Sequence, residues 1–230
     1  MQNYCSFQLF LYINLLFIMS NKYTLIIKNA ECYVDGSLIS TDIAIKGNVI
    51  SKISKNIVET SDQILDAKGL TVFPGMIDTQ VHFREPGDPN KETLESGSKA
   101  AVLGGVTSVF EMPNTSPPTD SPERFQDKLD RAKGRMYSNY AFYYGATENN
   151  SSSLEVTKDL EGCCGIKMFI GSSTGNLLVK DDKYIEQVIK NAPRIVSIHS
   201  EDENLLNARK DKIINGDVRS HYVWRNVETA

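Results

Sequence analysis

From Gly75 onward the chain alternates short apolar runs with amphipathic ones, and this alternation constrains the fold more than any other feature. Apolar, strand-like runs fall at 76–83, 106–113, 137–146, 163–170 and 194–201. Between them lie "KETLESGSKAAVLGG", "DSPERFQDKLDRAKG", "SSLEVTKDLEG" and "KDDKYIEQVIKNA", and "ENLLNARKDKIIN" follows the last. These read as helices by apolar spacing and end signals. In the second, Asp120 or Ser121 is the expected cap, Pro122 sits near the first turn and Gly134 ends it. Strands that alternate strictly with helices pair in parallel, because a parallel neighbour requires a crossover connection. The expected fold class is therefore α/β. It is a partial (β/α)8 TIM-like barrel with about five of the eight strands, since a closed barrel takes roughly 250 residues.

Before Gly75 the rhythm differs. Residues 23–70 alternate apolar and polar positions and are broken by Asp35-Gly36 and Gly47-Asn48, both turn dipeptides. The expectation is a small antiparallel β-sandwich domain over 21–74, with the incomplete barrel over 75–230. Residues 1–20 form an apolar extension outside either domain. No Lys or Arg precedes its apolar core, as a secretory signal would require. Its apolar run, 7–19, is also shorter than the roughly 20 residues that span a bilayer. A second Met stands at Met19, so a start assigned too early, with 1–18 outside the fold, is preferred over a membrane anchor.

The net charge of −4 provides no basic stripe for nucleic acid. Four Cys without CxxC spacing read as reduced, mostly buried thiols, which points to a cytoplasmic protein.

The polar residues that break the apolar pattern follow the strands. Asp78, Gln80, His82 and Arg84 lie two apart at the end of the first strand, a period that puts all four side chains on one face. Pro113-Asn114-Thr115 ends the second run, Lys167 lies inside the fourth, and His199 closes the fifth ahead of Ser200-Glu201-Asp202. Each has a bland reading. A strand-end His is commonly a satisfied structural residue, and a buried Lys is commonly paired or snorkelling. An Asn before Thr suits a turn, and "HSEDE" suits a helix N-terminus. Taken together, His82, Lys167 and His199 fall toward the same end of one sheet, the end where barrel enzymes carry their sites.

"FPGMIDTQVHFREPG", "ETLESGSKAAVLGGVTSVFEMPNTSPPT", "GIKMFIGSSTGNLLV" and "IHSEDE" together resemble dihydroorotase, of the cyclic amidohydrolase branch of the metal-dependent amidohydrolases. The resemblance runs from about Tyr23 to Ala230. It implies a hydrolase of class EC 3.5.2 that interconverts N-carbamoyl-L-aspartate and dihydroorotate reversibly in pyrimidine (UMP) biosynthesis. It also implies two Zn2+ per subunit. By position, His82 corresponds to the second His of an H-x-H pair, Lys167 to a carboxylated Lys bridging both metals, and His199 to the fifth-strand ligand. Arg84 and Asn114 correspond to the residues that hold the substrate carboxylate. The sequence departs from the pattern at Gln80, which replaces the first His and is a weak zinc ligand. The ligands expected on strands six and eight, including the catalytic Asp, have no counterpart, and His221 is given at most a structural or substrate-loop role.

The expected partners are therefore the small-molecule substrate, with no nucleic acid and no membrane, and a homo-oligomer or a complementing chain. The missing strands predict poor solubility or a partner that covers the open edge. The alternatives are a truncated, inactive pseudoenzyme and an allantoinase- or dihydropyrimidinase-like cyclic amidohydrolase.

Overall fold

The computed structural model describes residues 22–171 and 177–229; the apolar extension and part of the "GSSTGN" stretch lie outside them. The chain divides into two compact units, one up to Pro74 and one from Gly75.

The first unit contains β1 (Tyr23–Val34), β2 (Ser37–Lys46), β3 (Val49–Ser54), β4 (Ser61–Asp66) and β5 (Thr71–Val72). The strands β1, β2 and β3 form an antiparallel meander. Its first turn has Asp35 and Gly36 at positive φ (47° and 84°), the geometry a two-residue hairpin turn needs. Unlike the expected antiparallel sandwich, β4 and β5 both join β1 in parallel, so the five strands make one mixed sheet. A bulge between Ile27 and Ala30 shifts the register of β1 by one residue. Ile26 then packs with Ala44 and Ile57, while Ala30 and Cys32 pack with Ile43 and Ala67. The buried carboxylate of Asp42 holds the bend by accepting the backbone N–H groups of Asn29 (3.0 Å) and Ile57 (2.9 Å).

The second unit is the parallel one. Its strands are β6 (Met76–Val81), β7 (Val106–Glu111), β8 (Asn139–Gly145), β9 (Cys163–Phe169) and β10 (Val196–His199). They pair in the order β10-β9-β8-β7-β6, every pair parallel. Between and after them run α1 (Leu94–Leu103), α2 (Pro122–Ala132), α3 (Asp182–Asn191), α4 (Glu203–Ala208) and α5 (Val218–Trp224). Ser121 is the residue that caps α2, accepting the Arg124 N–H, with Pro122 in the first turn. Two expected helices are shorter or absent. In place of one over 152–162 there is a single 3-10 turn, Leu154–Thr157. The Arg194 guanidinium takes the carbonyls of Thr157 (2.5 Å) and Lys158 (2.7 Å), acceptors that a longer helix would have used. The last helix stops at Ala208, where the charged run Arg209–Lys212 offers no apolar face.

The core lies where sheet and helices meet. Phe125 of α2, Phe142 of β8 and Met168 of β9 are fully buried, with the Phe125 and Phe142 rings edge to face at 6.3 Å. By contrast β6 is a sheet edge, and Met76 and Ile77 stand 56% and 60% exposed. Inside the core lies a charged pair: Lys128 Nζ is 3.1 Å from Glu111 Oε2, with both side chains 1% exposed. Burial pushes the Glu111 carboxyl up to about 7 despite the neighbouring ammonium, and pushes the Lys128 ammonium down. A pair so dry costs stability when half of it is removed. Lys128→Ala is expected to destabilise by about 3–5 kcal/mol, whereas Glu111→Leu with Lys128→Met should fall close to wild type. Urea midpoints of the three proteins test this, and equal losses in the single and double variants would contradict it.

Candidate active site

The candidate residues fall in two groups toward the C-terminal ends of the parallel strands: His82, Arg84 and Asn114 in the loops after β6 and β7, and Lys167 and His199 on β9 and β10. The strand β6 ends at Val81, so His82 and Arg84 lie in the loop that follows rather than on the strand face read from their spacing. Asp78 and Gln80 remain on β6, exposed, with the Asp78 carboxylate accepting the Gln80 N–H at 3.0 Å. The loop after β6 is tied to the loop after β7: Met112 N–H donates to Val81 O (2.9 Å) and Ser116 N–H to Pro86 O (3.0 Å).

Across these loops His82 Nδ1 and Asn114 Oδ1 are 2.7 Å apart. An amide oxygen only accepts, so with Oδ1 in this place a neutral His82 would donate from Nδ1 and keep the Nε2 lone pair free. The same bond leaves the Asn114 Nδ2 hydrogens to donate elsewhere. Arg84 is half-buried, and among the described residues its guanidinium has no ion-pair partner.

Lys167 is 2% exposed within β9, and among the described residues no carboxylate pairs with it. Its ammonium lies 5.0 Å over the Phe169 ring. That contact offsets part of the burial cost. Desolvation still wins, and it holds the Lys167 amine below the ordinary lysine range. The Phe169 ring is also 6.0 Å from the His199 ring, so it neighbours both Lys167 and His199. His199 Nε2 is 2.5 Å from Glu201 Oε2, which leaves Nδ1 as the available nitrogen if Nε2 donates. Arg225 Nη1 reaches the other Glu201 oxygen at 3.3 Å, and the guanidinium lies 4.8 Å over Trp224. His221, on α5 and exposed, packs edge-on to the same indole at 5.9 Å.

Sequence reasoning passed over Glu201 as a first-turn residue. Asp202 is the actual cap of α4, accepting from Asn204 and Leu205, and Glu201 is free of that duty. The two-residue offset from His199 was the available signal. Glu85 and Arg135, which clamp the loop after β6, lie 50 residues apart and left no local pattern.

As a metal site the donors fit only in part. Each of His82 and His199 has one ring nitrogen outside its hydrogen bond, and Lys167 has no carboxylate partner among the described residues, but Gln80 is a carboxamide on an exposed edge. Among the described residues no three His, Cys, Asp or Glu side chains come together as a metal-binding group. No helix among them is long and apolar enough to cross a membrane.

The family model of the Amidohydrolase family matches residues 71–209, and the chain belongs to that family. Its resemblance to dihydroorotase is carried by full-length relatives. The chain is 36% identical over 199 residues to the dihydroorotase of Methanosarcina mazei, covering 85% of this chain and 43% of that protein. It is 32% identical over 187 residues to the dihydroorotase of Thermococcus kodakarensis, covering 81% and 44%. Among solved structures it is similar to the L-hydantoinase (dihydropyrimidinase) of Arthrobacter aurescens, with TM-score 0.83, 25% identity, and 90% and 48% of the two chains covered. The D-hydantoinase of a Thermus species gives TM-score 0.72 at 28% identity, with 89% and 47% covered. The chain thus spans less than half the length of the curated relatives it matches.

Lys167 provides a test. A lysine whose amine is depressed in the folded state costs stability below its folded pKa, and that cost fades as pH rises toward the unfolded value. Lys167→Met should therefore raise the melting temperature at pH 7, by roughly 2–4 °C for each kcal/mol recovered, with a smaller gain at pH 10. Thermal scans at both pH values measure it; a loss at pH 7 would make Lys167 a structural residue.

Proposed function

We propose that this chain is a dihydroorotase-like cyclic amidohydrolase. It would work on the reversible cyclisation of N-carbamoyl-L-aspartate to dihydroorotate in pyrimidine biosynthesis, with zinc as its metal. The observation that carries the reading is the His82–Asn114 hydrogen bond, supported by Arg84 two residues on in the same loop, which has no ion-pair partner among the described residues. One bond prepares two functions: it frees a His82 nitrogen for a metal and the Asn114 amide hydrogens for an anion.

The substrate carboxylate takes no part in breaking the ring C–N bond, so it serves as a handle. Arg84 would grip it with a planar fork, and Asn114 Nδ2 would donate to it. The buried Lys167 amine, once deprotonated, can add to carbon dioxide and release a proton, giving a carbamate that ligates where an ammonium cannot. Zinc held by His82 Nε2, the Lys167 carbamate and His199 Nδ1 would supply a nucleophilic hydroxide at neutral pH. Glu201 would keep the His199 ring turned for that task. The protein would work in the cytoplasm.

Two observations favour other readings. Gln80 in the place of an imidazole favours a non-catalytic member of the family. The likeness to hydantoinases favours an uncharged cyclic substrate. Arg84 decides between charged and uncharged rings. Calorimetric titration with N-carbamoyl-L-aspartate is expected to show binding that Arg84→Met weakens by about 10–100-fold, the loss of a charge-assisted contact worth roughly 1.5–3 kcal/mol. Zinc counting and a dihydroorotate assay on the same protein separate an enzyme from a non-catalytic binder. Equal binding by Arg84→Met would remove this substrate class.

A further inference from the structure

The loop after β6 carries His82 and Arg84, and its most buried polar side chain is one that neither the resemblance nor the proposed chemistry uses. Glu85 is 8% exposed, and both of its oxygens are engaged. Oε1 accepts from Arg135 Nη1 at 2.7 Å, and Oε2 accepts from Arg135 Nη2 at 3.0 Å. Oε2 also accepts the Leu94 N–H, the first residue of α1, at 3.1 Å. The bidentate fork makes this a directional pair rather than a diffuse attraction. The helix terminus adds a favourable interaction with the carboxylate.

Glu85 is anchored to the body of the unit while its neighbour Arg84 is not. Around it the loop is closed tightly: Asp88 N–H donates to Arg84 O at 2.7 Å. Gly87, at φ 123°, lies so near Ser116 that a Cβ there would sit 2.9 Å from the Ser116 Cβ. Under the loop, Gly97 of α1 leaves room for the Phe83 ring, which a Cβ would meet at 2.4 Å. The segment from His82 to Gly87 is thus fixed at Phe83 and Glu85 and joined to the neighbouring loop at His82 and Pro86.

We propose that Glu85 is a positioning residue: through Arg135 and the first turn of α1 it holds the loop so that Arg84 meets a substrate carboxylate in register with Asn114. This rests on the reading of Arg84 and Asn114 as the carboxylate-binding pair. Glu85 itself touches no substrate. Its effect therefore falls on the selectivity for a charged ring and spares the affinity for the ring as such.

The test uses the full chain and two probes, dihydroorotate and dihydrouracil, the same ring without the carboxylate, each titrated by calorimetry. Wild type is expected to prefer dihydroorotate. Glu85→Gln keeps the shape and one acceptor but loses the charge, and should reduce that preference roughly 10-fold while dihydrouracil affinity stays within about twofold. Arg135→Lys, which keeps the charge but loses the fork, should act in the same direction and is the second variant should Glu85→Gln fold poorly. An unchanged preference in both variants overturns the positioning role and leaves the functional reading intact. Parallel loss of both ligands also overturns it, because that marks a purely structural residue. A wild type without preference for the carboxylate overturns the functional reading, and the positioning role with it.

Discussion

Parallel pairing is the constraint from which the rest follows. Parallel strands need covering crossovers, so the middle of such a sheet is dry and polar groups belong at its ends. Here β9 is buried along almost its whole length, and β8 is buried from Phe142 to Gly145. Two lysines nevertheless enter that dry region, and the structure treats them oppositely. Lys128 meets Glu111 at 3.1 Å, and the two charges compensate each other. Lys167 meets an aromatic face and, among the described residues, no carboxylate. A buried amine without a counter-ion is a stability cost that a metal ligand or a reactive group can account for.

The loops at the strand ends prepare donors in the same way. Each of the two histidines has one ring nitrogen engaged, His82 by Asn114 and His199 by Glu201, and each keeps the other. Orientation of this kind decides which ring nitrogen each histidine leaves open. The loop after β6 adds a third level, since Glu85 and Arg135 hold the segment on which His82 and Arg84 stand.

The parallel sheet was legible because periodicity and end signals act locally: the apolar runs and the Ser121-Pro122 start of α2 need no tertiary information. The lost helix at 152–162 was not legible, because Arg194, nearly 40 residues away, takes its carbonyls. The small unit read as antiparallel because its hairpin turns are local, while the parallel addition of β4 and β5 depends on long-range pairing. In the candidate site, the strand-end positions of Asn114 and His199 could be read. The end of β6 at Val81, ahead of His82, could not, nor could the partners Glu201, Glu85 and Arg135, which are set by folding across loops.

The account turns on Lys167 being held as an uncompensated amine. The most direct test is the titration of lysine side chains by carbon-13 NMR, with the Lys167 signal assigned by its absence in Lys167→Met. The account predicts that Lys167 titrates below the ordinary lysine value of 10.5 because burial disfavours its charge. Titration at or above that value would show a counter-ion at Lys167 and contradict the chemistry assigned to it.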